Sequence, residues 1–96
     1  MVSLTPRAAA QVLEQAAASG ASSTCLRVAA RPAPEGGIDF GLGFDEPRTG
    51  DHEIDCEGVT LLVAPASAEL LAGVVVDWIE VGPGEHRFAF ARPAEP

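Results

Sequence analysis

Six side chains or groups in the 96 residues could do chemistry: two thiols, Cys25 and Cys56, two imidazoles, His52 and His86, and two sets of carboxylates. The thiols are soft donors suited to iron, zinc or an iron–sulfur cluster, but they stand 31 positions apart with no neighbouring cysteine, whereas a thiolate site needs about four converging donors. A second copy of the chain would double the count, so Cys25 and Cys56 supplied by two subunits stay open as metal or cluster ligands. Without a C-x-x-C pair, the plainer reading is two ordinary reduced thiols, and a disulfide requires the fold to bring their Cα atoms within about 7 Å. Each histidine lies in a polar stretch, His52 among acids and His86 beside Glu85, and reads as a surface group because no neighbouring serine or cysteine is placed to be activated by it. No Gly-rich loop precedes a helix, and Gly36-Gly37 leads into a strand, so nucleotide chemistry is not expected.

Asp51, Glu53 and Asp55 would project from one side of an extended segment. Spread over about 13 Å, they are too far apart to converge on one hard cation, and their spacing does not match a calcium loop. They read instead as a charged edge that resists strand-to-strand aggregation, and as a docking patch for a basic protein partner. Charge supports this: residues 1–34 carry three arginines and one glutamate, whereas residues 35–96 carry three arginines and thirteen acids, with six of those acids between Asp45 and Glu57. A net charge of −8 without a single lysine repels phosphate backbones and anionic lipid, so neither nucleic acid nor membrane is an expected partner. No apolar run approaches the ~20 residues of a membrane span. No basic stretch followed by an apolar segment opens the sequence, and the expected location is cytoplasmic.

The elements that must position these residues are legible in order. One domain over residues 1–96 is expected. Thr5 can cap, and Pro6 can open, a helix to about Ala18, with a thin apolar stripe of Ala9, Val12, Leu13 and Ala16 and a stop at Gly20. From Thr24 to about Arg31 the period changes to two, with Leu26, Val28 and Ala30 on one face. The stretch from Pro32 to Gly37 is expected as a turn, because two prolines and two glycines do not fit a ladder. A second strand follows with Ile38, Phe40, Leu42 and Phe44 alternating. The acidic segment has Ile54 as its large apolar anchor. Val59 to Ala64 is a third strand, Pro65 opens a short helix burying Ala68, Leu71 and Leu70 and closing at Gly73, and Val74–Val81 and Arg87–Ala91 form a hairpin through Gly82-Pro83-Gly84, a type II turn. Phe88 and Phe90 share a face and join Phe40 and Phe44 as the large core side chains, with Trp78 at the core's edge.

This order of segments resembles the A-type iron–sulfur carrier family (HesB/IscA-like). The resemblance is carried by Leu4-Thr5-Pro6 and its alanine-rich helix, Leu26-Arg27-Val28, Gly37-Ile38-Asp39-Phe40, Gly43-Phe44-Asp45, Gly58-Val59, Leu71-Ala72-Gly73, Val76-Asp77-Trp78-Ile79 and Phe88-Ala89-Phe90-Ala91-Arg92-Pro93. It implies a mainly β fold with some α content: a HesB-like β sandwich or half-barrel with an N-terminal helix and a short central one. The family's chemistry rests on a cysteine in a Gly-Cys-Ser-Gly turn after the first strand and two in a Cys-Gly-Cys-Gly tail after a final Asn-Pro. Here Glu35 stands at the turn position and Arg92-Pro93 where Asn-Pro would be, with three residues following to Pro96, while Cys25 and Cys56 fall where the family has no ligand. A carboxylate is a hard donor and does not replace a thiolate at such a cluster.

The chain is therefore similar to the cysteine-lacking, DsrR-like branch found with the sulfite-reductase genes of sulfur-oxidising bacteria. That resemblance implies a non-catalytic accessory or regulatory protein, with no cofactor of its own, whose partners belong to sulfur oxidation or iron–sulfur assembly. The expected interaction residues are Glu35, Gly36 and Asp39 around the family's ligand turn, with Asp51, Glu53 and Asp55 as the acidic patch. Turn geometry alone is a sufficient reason for Gly36 and Gly37. An iron or iron–sulfur carrier using Cys25 or Cys56 across a dimer is the alternative.

Overall fold

A computed structural model describes residues 2–20 and 25–91. Its elements are β1 (Ser3–Leu4), α1 (Pro6–Ser19), β2 (Cys25–Pro32), β3 (Ile38–Phe44), β4 (His52–Cys56), β5 (Val59–Val63), α2 (Pro65–Ala68), β6 (Val75–Gly82) and β7 (Glu85–Ala91). The expected strand start at Thr24 and the Arg92-Pro93 segment lie outside the described residues. Two sheets form, one in the order β1-β6-β7 and the other β3-β2-β5-β4. In the first, β1 runs parallel to β6; in the second, β2 runs parallel to β5 and antiparallel to β3, and β4 is antiparallel to β5.

Local chemistry sets the ends of α1 as expected. The Thr5 hydroxyl accepts from the Ala8 amide at 3.2 Å, Pro6 occupies the first turn, and Gly20 closes the helix in the left-handed region at φ 70°. The buried stripe is Ala8, Ala9, Val12 and Ala16; Leu13, expected inside, is 37% exposed and lies over Gly58. Helix α1 thus docks through its smallest side chains, and the rotation that lets Ala8 approach the sheets turns Leu13 outward.

Alternation holds along β2, where Leu26, Val28 and Ala30 are buried. Pro32, expected in the turn, is the last residue of the β2–β3 ladder, opposite Ile38. The amide of Asp45 donates to the carbonyl of Cys25 and that of Ala33 to the carbonyl of Gly37, so the odd-numbered residues of β2 and β3 exchange the ladder bonds. Pro32 falls on an even pair and has no bond to give up, which is why it is tolerated there. The turn proper is 33–37, with Gly36 and Gly37 at φ 98° and 79°.

The core lies between the sheets and beneath α1, built from Val2, Leu4, Val12, Leu26, Val28, Val59, Leu61, Val63, Leu71, Val74 and Val76 together with the small residues of α1. Burying a Leu or Val side chain contributes roughly 1.5–3 kcal/mol each, so these branched aliphatics, not aromatics, dominate. The expected aromatic core needs correction. Phe40, Phe88, Phe90 and Trp78 are only half-buried, packed against the core's margin, and Phe44 at the end of edge strand β3 is 40% exposed. Phe40 of one sheet stacks on Phe90 of the other with centroids 4.9 Å apart, and Trp78 meets Phe88 at 4.7 Å, so the aromatics close the open side of the half-barrel.

Helix α2 is shorter than expected: four residues, followed by turns through Gly73 at φ 76°. Its buried face is Ser67 with the following Leu71; Ala68 and Leu70 are half-buried. The β6–β7 hairpin has Pro83 and Gly84 at its tip, Gly84 at φ 75°, as a type II turn requires, with a register irregularity between Glu80 and Gly82.

Candidate functional site

Register decides what the two thiols can do. Cys25 pairs with Thr60 and Cys56 with Val59, and Thr60 and Val59 are neighbours on β5, so the two cysteines point to opposite faces of the four-stranded sheet. Within one chain they cannot converge on one metal or form a disulfide. Cys56 lies on the core face and is used structurally. Ser3 and Thr5 send their amides to the carbonyls of Val74 and Val76, which leaves the backbone of Leu4 facing away from β6. The Cys56 Sγ accepts the Leu4 amide at 3.3 Å and donates toward the Leu4 carbonyl at 3.6 Å. One thiol thus joins the edge of the β1-β6-β7 sheet to β4 of the other.

The acidic stretch divides into two parts. Asp51, expected on an exposed patch with Glu53 and Asp55, is buried: its side chain is 3% exposed and holds Arg27, itself 16% exposed. The guanidinium grips Asp51 with two bonds, Nη1–Oδ1 at 2.9 Å and Nη2–Oδ2 at 2.7 Å, and gives Nε to Asp45 at 2.5 Å and a third contact to the Glu46 carbonyl at 3.2 Å. The Arg48 amide also donates to Asp51, at 2.7 Å. Asp45 and Asp51 therefore hold a strand arginine from the two ends of a segment whose residues 46–50 are exposed, because an arginine on the outer face of β2 is satisfied most fully by a bidentate carboxylate. The Arg27 hydrogen bonds and the Arg48 amide hold the Asp51 carboxyl at a pKa of about 2; Asp45 is lowered by Arg27 and the Glu46 amide, and Arg27 is raised by Asp51 first and Asp45 second.

Glu53 and Asp55 do stand exposed on β4, an edge strand, with the Thr60 hydroxyl donating to Asp55 at 3.2 Å. Glu35, Gly36 and Asp39 are exposed at and beside the 33–37 turn, and Arg31 approaches Asp39 at 3.8 Å in a solvent-facing pair. The expected interaction set therefore falls at two separate edges, Glu35, Gly36 and Asp39 by β3 and Glu53 and Asp55 on β4, with Asp51 withdrawn to a structural ion pair.

His52 and His86 are exposed. His86 stacks on Trp78, 5.7 Å between centroids, and His52 borders an apolar hollow of about 280 Å³ with Val2, Ile54, Val63 and Leu71. Among the described residues no three His, Cys, Asp or Glu side chains gather as a metal site, so the donors present do not fit an iron–sulfur cluster within one chain.

Three polar residues matter more than the sequence suggested. Ser67 Oγ accepts from the Ala30 amide and donates to the Ala30 carbonyl, both at 3.2 Å, capping β2 where β5 no longer reaches it. Asp77 accepts from Thr5 Oγ1 at 2.7 Å and from Arg7 at 2.6 and 2.5 Å, which fastens the start of α1 to β6 and, with Arg7 first and Thr5 second, holds its carboxyl well below the usual range. Arg27 is the third. Of the three, Arg27 carried a signal, as a cation on a strand whose hairpin is followed by a run of acids.

No protein-family model matches the chain. It is 34% identical over 91 residues to the iron–sulfur cluster insertion protein ErpA of Alkalilimnicola ehrlichii, covering 94% of this chain and 74% of that protein. It is 33% identical over 94 residues to an uncharacterised protein encoded in the nifU 5′ region of Azotobacter vinelandii, covering 97% of this chain and 87% of that protein. A crystal structure of IscA with a [2Fe–2S] cluster superimposes with a TM-score of 0.78 at 34% identity, over 97% of this chain and 86% of that one. With sequence and fold agreeing over nearly the whole length, the chain belongs to the A-type iron–sulfur carrier family.

Proposed function

We propose that this chain serves iron–sulfur cluster biosynthesis as a non-catalytic accessory protein that docks onto a partner of the assembly machinery, without carrying a cluster on its own thiols. The observation that carries the reading is the placement of Cys25 and Cys56 on opposite faces of one sheet, with Cys56 committed to Leu4. The related ErpA protein inserts clusters and the related IscA holds one, which supports the assembly setting. Glu35 in the turn where the resembling proteins place a cysteine supports the loss of the family's own ligand set. Such a chain keeps the surface that partners recognise, here Glu35, Gly36 and Asp39 at one edge and Glu53 and Asp55 at the other. It works in a reducing cytoplasm, in the manner of the DsrR-like branch, beside sulfur oxidation or cluster assembly. No chemical step is assigned to it, since neither exposed histidine has a nucleophile beside it among the described residues.

Anaerobic incubation with ferrous iron and sulfide tests the reading. The protein is expected to leave a desalting column colourless. Charge-transfer absorbance that survives desalting in the wild type and disappears in Cys25→Ala would establish the alternative, a carrier with ligands drawn from two subunits.

A further inference from the structure

We propose that β4 takes up an extended segment of a partner protein as an added antiparallel strand, and that the segment it fits alternates basic and apolar residues. The proposal rests on the reading of Glu53 and Asp55 as a docking surface and not on whether the chain holds a cluster.

Strand β4 ends the four-stranded sheet, with β5 on one side and no strand of the described residues on the other. Glu57 and Gly58 close the β4–β5 hairpin as a two-residue turn, with φ of 53° and 83°, the left-handed pair of a type I′ turn. The residues flanking such a turn, Cys56 and Val59, exchange the ladder bonds, and alternation then commits the backbones of Ile54 and His52 to β5 as well. The amides and carbonyls of Glu53 and Asp55 therefore point off the sheet. A row of this kind is a template for another strand: main-chain bonds supply affinity, and alternate side chains supply specificity.

The two faces of β4 ask for different neighbours. On the outer face Glu53 and Asp55 are exposed, and no arginine of the described residues pairs with either. The sequence holds no lysine or arginine between Arg48 and Arg87. Antiparallel pairing on the outward groups sets two residues of the incoming strand directly opposite Glu53 and Asp55, with their side chains on the same face, where opposite charge favours arginine or lysine. On the core face Cys56 is tied to Leu4, which closes the seam between β4 and β1 at that end. Towards Val2 and His52 the seam opens into the hollow of about 280 Å³, walled by Val2, Ile54, Val63 and Leu71. Incoming residues opposite Ile54 and His52 lie on this face, and an apolar side chain there covers surface that the chain leaves in water. From the residue opposite Asp55 to the one opposite His52, the fitted order is basic, apolar, basic, apolar. A second copy of β4 does not fit, because pairing about Ile54 sets Glu53 against Asp55 of the other strand.

The probe is a synthetic peptide, acetylated and amidated, with Arg-Val-Arg-Phe between flanking threonines, titrated into the isotope-labelled full chain at physiological ionic strength. At saturation, hydrogen exchange at the Glu53 and Asp55 amides is expected to slow at least roughly tenfold, because these donors gain partners in the added strand. A peptide of the same composition whose two arginines adjoin is expected to bind at least roughly fivefold more weakly and to leave that exchange unchanged. Glu53→Gln combined with Asp55→Asn is expected to weaken binding about fivefold. Ala72→Phe, which fills the hollow from an exposed position, is expected to weaken it about threefold with the charge unaltered. Equal binding of the two peptides, or binding without protection of Glu53 and Asp55, is mere attraction to a chain of −8 and overturns the proposal. So does the absence of binding at about millimolar peptide. Reconstitution with iron and sulfide reads none of these quantities, so a cluster on the chain would defeat the function proposed above and leave this strand addition standing.

Discussion

The Cys56 thiol and the backbone of Leu4 close the gap between the two sheets: Sγ takes the Leu4 amide at 3.3 Å and reaches back to its carbonyl at 3.6 Å. A cysteine that a sequence offers as a metal ligand is here a cap for the edge of a two-residue strand. Cys56→Ala leaves the amide and carbonyl of the buried Leu4 unpaired, and a lost bond of this kind costs about 1 kcal/mol. For a domain of this size that is a fall in Tm of roughly 4–8 °C, measurable by circular dichroism.

Ser67 makes a stronger demand, since both of its bonds go to one buried residue, Ala30. In Ser67→Ala the amide and carbonyl of Ala30 both lose their partner beyond the end of the β2–β5 ladder. The expected loss is about 2–3 kcal/mol, read as a lower urea midpoint at unchanged slope. A midpoint equal to that of the wild type would show that water replaces the hydroxyl there.

Acid sensitivity follows from the wrapped arginine. Asp51 has a pKa of about 2 in the folded chain against 3.8 ordinarily, and Asp45 and Asp77 are lowered in the same sense. Above 3.8 these carboxylates are ionised in both folded and unfolded chains, and their contribution to stability is fully present. As pH falls below 3.8 the unfolded chain takes up protons first, so stability declines and the Asp51 contribution is gone below about pH 2. Thermal unfolding from pH 7 to 2 is expected to show a steep fall below pH 4 in the wild type. Arg27→Met is expected to start from a lower Tm and to fall less steeply.

What the sequence made legible was local. Thr5, Pro6 and Gly20 bound α1 because capping is decided within a few residues, and Pro83-Gly84 gave the β6–β7 turn because its dihedrals are intrinsic to that pair. Alternation in β2 and β3 showed which face turns to the core, whereas β5 is covered on both faces, with Leu62 buried opposite Leu61. The misread positions depend on partners distant in the chain. Asp51 lies 24 residues from Arg27, Ser67 37 from Ala30 and Cys56 52 from Leu4, so no short window along the sequence contains any of these three pairs. Phe44 was misplaced for a related reason: alternation assigned its face correctly but gave no indication that β3 ends at an uncovered edge.

In the proposed function this carrier fold holds no cluster on its own cysteines. The direct measurement is iron and acid-labile sulfide per chain in protein purified anaerobically from cells grown with ample iron, alongside the Cys25→Ser, Cys56→Ser double variant. Both are expected to contain far less than one equivalent, at the same level. Stoichiometric iron and labile sulfide in the wild type, absent from the double variant, would contradict the account.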